Sequence, residues 1–487
     1  MHPTANPVLL PAYELAEYLR QGKMSAAALV DASAARCAQV QPVLQGLARE
    51  RFDAARREAL AVDALRARGL PCGELGGLPM VVAESFAVEG MLHSGGIWKR
   101  ADQVATRDAA VVAAARSAGG VVCGVANIAE RGLGVQTDNL LYGRTPSPRD
   151  LRRVAGGSGG GVASLVATGC FSWGLAPDTL GEARIAAHCC GVMAYKPSPG
   201  RLPMEGYVPT PTLRGAQYCS PALITRHAKD AALLLRAMSG GPPGPALEDV
   251  HLTWMRVLVC EDPGIPGAAV PRGTRRVLRR ALSALRAEAA EHEVWRPEQL
   301  RWAGEIWLAM MHEAHGLQHS FRDHLGVDAS ESVWKEATRW LFGRSRWRLP
   351  TLSMLAVDRL TRSSYVRIQR LCALGRRFRE RLCSTLGDDG VLLLPTYPGP
   401  PPTHRRAWLE PRAGLLAALW NVLRLPVVQV SLPTSRGGLP QGVQLVGAPG
   451  RDDLLLAAAL TLQRRLGSPP VVGVDTVRRG LRDLSIW

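Results

Sequence analysis

Two kinds of hydrophobic pattern alternate along the chain and predict alternating helices and strands. In residues 12–70 the apolar positions lie three and four apart, which predicts helices, with Ser25 as an N-cap. Similar helical patterns cover residues 160–170, 275–294 and 452–467. Short apolar runs predict buried strands at residues 78–86, 253–262, 388–398, 425–433 and 441–447. Residues 108–130 predict a helix, a Gly-Gly stop, a strand and the start of another helix.

This alternation runs from end to end without a long linker, and it predicts a single α/β domain over residues 1–487. Residues 239–249 and 398–406 are rich in proline and glycine and predict surface loops. The domain divides into four predicted parts. They are N-terminal helices at 1–70, a central core at 71–235, a helical insertion or cap at 250–390, and C-terminal strands with a helix at 391–487.

Composition limits the class of protein. Hydrophobic residues make up 47% of the chain, yet no apolar run approaches the roughly 20 residues of a membrane-spanning helix. The first residues lack the layout of a signal peptide, so we expect a soluble intracellular protein, either free or peripheral to a membrane. The ten cysteines include no CxxC pair, which argues against a zinc or disulfide framework. We predict no metal and no cofactor.

The chain is strongly basic, with a formal net charge of +17. Only five of its 59 basic residues are lysines, and an arginine excess of this size is typical of biased base composition in the coding DNA. The functional alternative is an anionic partner such as RNA or a membrane surface. No dense basic patch with interleaved aromatic residues supports that alternative, although the charge leaves nucleic acid open as a partner.

The stretch from Ala155 to Pro203 holds the candidate chemistry. It opens on a glycine-rich turn, continues through apolar segments and ends on Lys-Pro-Ser-Pro-Gly. Such a stretch usually presents a hydroxyl nucleophile on tightly turning backbone. Where that nucleophile is expected, however, the sequence reads Gly181-Glu182.

Several ordered motifs resemble the amidase signature family, and within it the type 2 fatty-acid amide hydrolases. They include "GGLPMVVAESFAVEGM", "TRDAAVVAAARSAGGVVCGVANIAE", "LYGRTPSPRDLRRVAGGSGGG", "YKPSPGRLPMEGYVP", "GDDGVLLLPTYP" and "GGLPQGVQLVG". The likeness extends from Ala12 to about Gly467. It implies an α/β/α sandwich around a large twisted mixed β-sheet, with a helical insertion or cap.

The resemblance also implies a catalytic unit in which a lysine base, a relay serine on a cis peptide and a nucleophilic serine cleave an amide. The relay serine matches Ser158, and the resemblance implies a cis Gly157–Ser158 bond. The lysine position is Ala83 and the nucleophile position is Glu182. Two of the three groups are therefore missing. Lys196 matches a structural lysine of the family and not the base.

The neighbouring positions give a mixed picture. The oxyanion loop of the family matches Thr179, Leu180 and Gly181, and Leu180 replaces a glycine. Two further pairs are kept: the supporting charges Asp178 and Arg184, and the turn glycines Gly156 and Gly157. The resemblance thus indicates the remains of an active site.

Three functional classes follow. The first is a catalytically impaired member that binds a fatty-acyl amide, another hydrophobic small molecule or a protein partner. The second is an active amide or ester hydrolase with rearranged residues, in which Glu182 works as base or nucleophile with His188 or Cys189. The third is a structural or RNA-associated subunit of a larger assembly. A metal site on His312, His315 and His319 is a weaker alternative, because their spacing does not match HExxH.

Overall fold

Eleven strands of the described residues form one mixed sheet in the order β1-β3-β2-β8-β10-β9-β14-β15-β13-β11-β12. The computed structural model describes residues 7–240, 245–289, 291–315, 322, 325–327, 331–361, 364–409, 412–434 and 438–484. The strands of this sheet are β1 Leu47–Glu50, β2 Pro79–Ala83, β3 Val121–Ala126, β8 Trp173–Asp178, β9 Met193–Lys196, β10 Ser220–Thr225, β11 Arg256–Val259, β12 Glu291–Val294, β13 Gly390–Pro395, β14 Val427–Leu432 and β15 Gln441–Gly447. Two small ribbons pair β4 Asp138–Asn139 with β5 Gly143–Arg144, and β6 Pro146–Ser147 with β7 Asp150–Val154.

Helices cover both faces of the sheet. In chain order they are α1 Ala12–Arg20, α2 Ala26–Leu44, α3 Phe52–Ala67, α4 Ala110–Ser117, α5 Gly160–Ala167, α6 Glu182–Cys190, α7 Ala228–Ser239, α8 Arg272–Leu285, α9 Ala303–His315, α10 Val333–Leu341, α11 Leu349–Thr361, α12 Tyr365–Leu386, α13 Arg406–Leu409, α14 Leu415–Val422, α15 Asp452–Leu466 and α16 Val474–Leu484. No helix in these described ranges is long and apolar enough to cross a membrane.

The strand β13 shows why the sheet separates two cores. Val391 and Leu393 pack in the core that α8 and α15 cover, whereas Leu392 and Leu394 pack in the core that α9 and α12 cover. Because successive side chains of a strand point to opposite faces, a strand buried on both sides must be apolar throughout. This is the expected α/β/α sandwich around a mixed sheet.

Several local predictions are confirmed. Ser25 caps α2, with its side chain accepting a hydrogen bond of 3.0 Å from the backbone N–H of Ala28. The strands β14 and β15 are antiparallel neighbours, with Gln429 opposite Gln444. The helix α15 begins at Asp452.

Others are wrong at their ends, where pairing between distant segments overrides local pattern. The helical stretch 12–70 is interrupted by β1, which pairs with β3. The helix predicted over 275–294 ends at Leu285, and residues 291–294 form the edge strand β12 beside β11. The new helix predicted near residue 130 is a short 3₁₀ turn over Glu130–Gly132. Within segment 250–390, β11 and β12 belong to the main sheet, and α8 connects them. The consecutive helices of this segment run from α9 to α12.

Candidate active site

The carboxyl ends of two adjacent parallel strands bring the candidate positions to one edge of the sheet. Strand β2 ends at Ala83 and its neighbour β8 ends at Asp178. The loop 179–181 then leads into α6, whose first residue is Glu182. The positions that the resemblance assigns to the lysine and the nucleophile, Ala83 and Glu182, therefore lie at the same edge of the sheet, although they are 99 positions apart in the sequence.

The glycine-rich turn packs directly against α6. Gly156 has a φ of +93°, and a Cβ there would overlap the backbone of Ala186. A Cβ on Gly157 would lie 2.7 Å from the Cβ of Glu182. These two glycines therefore allow the turn to touch the helix, and they place Ser158 beside Glu182. The Ser158 hydroxyl is fully buried and has no hydrogen-bond partner among the described residues.

The peptide bond before Ser158 corrects one expectation. Within the described ranges the cis peptide bond is Val208–Pro209, so the Gly157–Ser158 bond is trans and the expected cis geometry is wrong. A non-prolyl cis bond costs ~3–4 kcal/mol and persists only where its surroundings hold it. The resemblance assigns the lysine that such a serine would serve to the position of Ala83.

Glu182 binds the loop that the resemblance assigns to the oxyanion. Its Oε2 accepts hydrogen bonds from the backbone N–H groups of Thr179, at 2.8 Å, and Leu180, at 2.5 Å. Its Oε1 is buried without a partner among the described residues. Burial raises the pKa of Glu182 to about 8, and the nearby charge of Asp178 adds to the rise. The amide hydrogen bonds favour the ionised form but do not outweigh these two effects.

Asp178 and Arg184 form a fully buried ion pair beside the loop 179–181. The guanidinium donates to both carboxylate oxygens at 2.8 and 2.9 Å. It also donates to the side-chain oxygens of Asn421, at 2.6 Å, and Gln444, at 2.8 Å. Arg184 lies beside the carboxylate and holds the pKa of Asp178 below its usual range. A buried pair needs such additional hydrogen bonds to offset its lost solvation.

Asn421 and Gln444 are site residues that the sequence did not predict. The signal that could have found them is a single amide in an otherwise apolar segment, as in "LLAALWNV" and "GVQLVG". A buried amide in such a place requires a polar partner. Which partner it finds depends on the packing of α14 and β15 against α6.

Three further side chains enclose the site. The Trp307 indole on α9 donates a hydrogen bond of 3.2 Å to the Thr179 carbonyl, so α9 packs against the loop 179–181. Tyr207 is buried nearby, and burial together with the charge of Glu182 raises its pKa. Burial also raises the pKa of the Cys219 thiol to about 12, which keeps this group protonated. An uncharged thiol is a poor nucleophile.

Lys196 lies on β9, away from the strand that ends at Ala83. Burial and the charge of Arg184 lower the pKa of Lys196 to about 7, so its amine has the character of a possible base. However, β9 is separated from β2 by β8 and β10. At about 4.8 Å between neighbouring strands, Lys196 lies roughly 14 Å from the strand of Ala83.

His188 is not available as a partner for Glu182 either. Its Nδ1 accepts a hydrogen bond of 2.8 Å from the backbone N–H of Gly442, and its Nε2 donates to the carbonyl of Gly399 at 3.0 Å. Burial lowers the pKa of His188 to about 4. Cys189 is buried as well, and burial raises the pKa of its thiol. The structure thus places both residues in structural contacts.

The histidines of α9 are only partly described. His312 lies 3.4 Å from Asp358 in a buried pair. The side chain of His315 and the whole of His319 lie outside the described residues. Within the described part of the chain no group of histidine, cysteine, aspartate or glutamate has the arrangement of a metal site.

The amidase family model matches residues 28–456, and the chain belongs to this family.

Relatives in that family cover nearly the whole chain. Fatty-acid amide hydrolase 2 of Homo sapiens is 30% identical over 96% of this chain and 91% of its own length. Fatty-acid amide hydrolase 2-B of Danio rerio is 33% identical over the same shares. A solved amidase structure superposes with a TM-score of 0.77 at 26% identity, covering 94% of this chain and all of its own. The resemblance found in the sequence is therefore confirmed.

Proposed function

We propose that this chain is an amidase-family protein whose amide hydrolysis is lost or strongly impaired. Its retained scaffold would bind a fatty-acyl amide, another hydrophobic small molecule or a protein partner. The observation that carries the proposal is the Glu182 side chain, which stands at the nucleophile position and accepts hydrogen bonds from the N–H groups of Thr179 and Leu180.

The missing base supports the proposal independently. General-base catalysis requires a group within hydrogen-bond reach of the proton that it removes. The Ala83 methyl group cannot accept a proton, and Lys196 lies on β9, which β8 and β10 separate from the strand of Ala83. Without a base, the Ser158 hydroxyl keeps its ordinary weak nucleophilicity.

The backbone amides of Thr179 and Leu180 also support the proposal, because Glu182 already binds them. In acyl transfer, backbone N–H groups stabilise the oxyanion that develops on the carbonyl. Here the amides of Thr179 and Leu180 already bind a carboxyl group of the protein, so a substrate oxyanion would have to displace Glu182. Loss of one oxyanion donor costs about 10²–10³ in rate, and loss of a nucleophile costs on the order of 10⁶.

Labelling with a serine-reactive fluorophosphonate tests the proposal most directly. We expect no labelling and no release of amine from a long-chain fatty-acid amide. The control is Ser158→Ala in a protein that still melts cooperatively. Labelling or turnover that this substitution abolishes would refute the proposal and favour an active hydrolase with rearranged residues.

Ligand binding tests the retained scaffold separately from catalysis. A molecule that binds only the folded state raises the melting temperature in proportion to its occupancy. We therefore expect a long-chain amide to raise the melting temperature, and the free amine of the same chain length to raise it less. Equal shifts from both compounds would remove the amide from the proposed ligand class.

A further inference from the structure

One side of the helix α8 carries a row of exposed arginines. Arg272, Arg276, Arg279 and Arg286 are all exposed, and Arg286 directly follows the helix with helical backbone angles. Their spacing along the chain places the four side chains on the same side of α8, opposite the side that is buried in the core. At a rise of 1.5 Å per residue, this arginine row is about 21 Å long.

The arginine row holds little compensating negative charge. Arg272, Arg276 and Arg286 have no carboxylate partner among the described residues. Arg279 pairs with Glu261 at 2.7 Å, and the Arg279 side chain is still 66% exposed. The row therefore presents unpaired guanidinium groups to solvent along its whole length.

The stability of α8 does not explain the arginine row. Like charges three and four residues apart on a helix repel each other and weaken it. The first turn of α8 contains Arg272 and Arg275 but no acidic residue, although the helix dipole favours acidic residues there. Arginines aligned along one side of a helix are the electrostatic footprint of a surface that binds a polyanion.

An exposed aromatic side chain lies at one end of the row. Trp254 is 77% exposed and stands two residues before β11. The preceding residue, Thr253, lines the same surface groove as Glu288, which comes two residues after Arg286. The Glu288 carboxylate is itself paired with Arg465 at 2.5 Å. Trp254 and Arg286 therefore lie at the same end of α8.

This surface is separate from the candidate active site. The helix α8 packs on the side of β13 that Val391 and Leu393 occupy. The helix α9, whose Trp307 contacts the loop 179–181, packs on the other side of that strand. A partner bound along the arginine row would thus not need to enter the candidate active site.

We propose that the arginine row and Trp254, together called the α8 face, bind single-stranded RNA. The guanidinium groups contact backbone phosphates, because the paired N–H donors of arginine match two phosphate oxygens. The Trp254 indole stacks on an unpaired base next to these phosphates. The α8 face does this whether or not the candidate active site retains any hydrolysis.

The indole favours single-stranded RNA over an acidic protein segment. Carboxylates of an acidic segment would pair with the arginines but would offer no flat ring to Trp254. A single strand offers phosphates and unstacked bases together, and stacking on an aromatic side chain adds to its affinity. In a duplex the bases are already stacked on one another, so Trp254 would have no free base. Single-stranded RNA therefore uses the whole α8 face.

Fluorescence anisotropy of the full chain with a labelled single-stranded RNA of about 12 nucleotides tests this assignment at a series of salt concentrations. Each cation bound to a phosphate of a single strand contributes about −0.7 to the slope of log K against log salt, so four arginines should give about −2.8. Arg276→Gln with Arg286→Gln should weaken binding and bring the slope to about −1.4. Trp254→Ala should weaken binding about fivefold or more and leave the slope unchanged, because stacking releases no counterions.

The matched controls remove the same groups elsewhere on the surface. Arg57→Gln with Arg68→Gln removes two exposed arginines, on and directly after α3, that have no carboxylate partner among the described residues. Trp334→Ala removes an indole on α10 that is 70% exposed. Both controls should leave the affinity and the slope unchanged, and thermal melts of every variant check that the fold is retained.

Three results would overturn the assignment of RNA to the α8 face. The first is no binding of the parent chain to the RNA at low salt. The second is an equal fall in slope for the α3 control, because net charge rather than the arginine row would then account for binding. The third is displacement of the RNA by an equal charge concentration of poly-glutamate, because an acidic protein segment would then fit the surface as well as RNA does.

Discussion

Replacing Glu182 by glutamine is the sharpest test of the electrostatics at the candidate site. Glutamine has nearly the same shape, and its side-chain oxygen can accept the two amide hydrogen bonds that Glu182 Oε2 now accepts from Thr179 and Leu180. What it removes is the ability to ionise. The substitution thus isolates the free energy of placing a carboxylate in this buried site.

The magnitude follows from the pKa. Burial and the charge of Asp178 raise the pKa of Glu182 from its ordinary value of 4.5 to about 8. Between these pH values the unfolded chain has released this proton and the folded chain still holds it, so the free energy of unfolding falls as pH rises. One pKa unit corresponds to about 1.4 kcal/mol, so the parent should lose on the order of 3–5 kcal/mol over this window.

Denaturant unfolding of the parent and of Glu182→Gln at a series of pH values measures the effect. All other titrating groups are common to both proteins, so the difference between their free energies of unfolding reports Glu182 alone. We expect a difference near zero below pH 4.5 and a growing advantage for glutamine up to about pH 8. Glu298→Gln, at an exposed position, is the matched control for the loss of one glutamate. A flat difference between pH 5 and 8 would refute the reasoning.

Two further predictions concern the same site. Glu182→Ser and Ala83→Lys should each stay inactive towards an ester substrate, because one lacks a base and the other leaves no hydroxyl at the nucleophile position. The double variant should show weak cleavage and the addition of Leu180→Gly more, whereas small additive gains from the single variants would contradict this assignment. Arg184→Met should lower the free energy of unfolding by ~3–5 kcal/mol, because Asp178 would remain buried without its partner; denaturant unfolding measures this loss, and a loss below about 1 kcal/mol would contradict it.

Much of the fold could be predicted from local pattern. The uninterrupted apolar run of β13 indicated a strand buried on both faces, and Ser25 indicated where α2 begins. These features depend on residues within a few positions of one another, so periodicity and capping are visible in the sequence. The edge strand β12 was not visible, because its pairing with β11 requires a partner from a distant part of the chain.

At the candidate site the residue types alone show which groups are present. The resemblance assigns Ala83 and Glu182 to the positions of a lysine and a serine, and Asp178 and Arg184 to a kept pair. What those groups contact depends on the packing of distant segments. That packing turned the Glu182 carboxyl group onto the amide of Leu180, and it made the Gly157–Ser158 bond trans, against the expectation from the resemblance.

The network around Arg184 shows the physical reason for this division. Its amide partners, Asn421 and Gln444, lie 237 and 260 residues away in the chain. A local pattern records which positions avoid water, since apolar burial is roughly additive and does not depend on a particular partner. A buried charge, in contrast, is tolerated only where specific donors and acceptors converge on it, and that convergence exists only once α6, α14 and β15 have packed together.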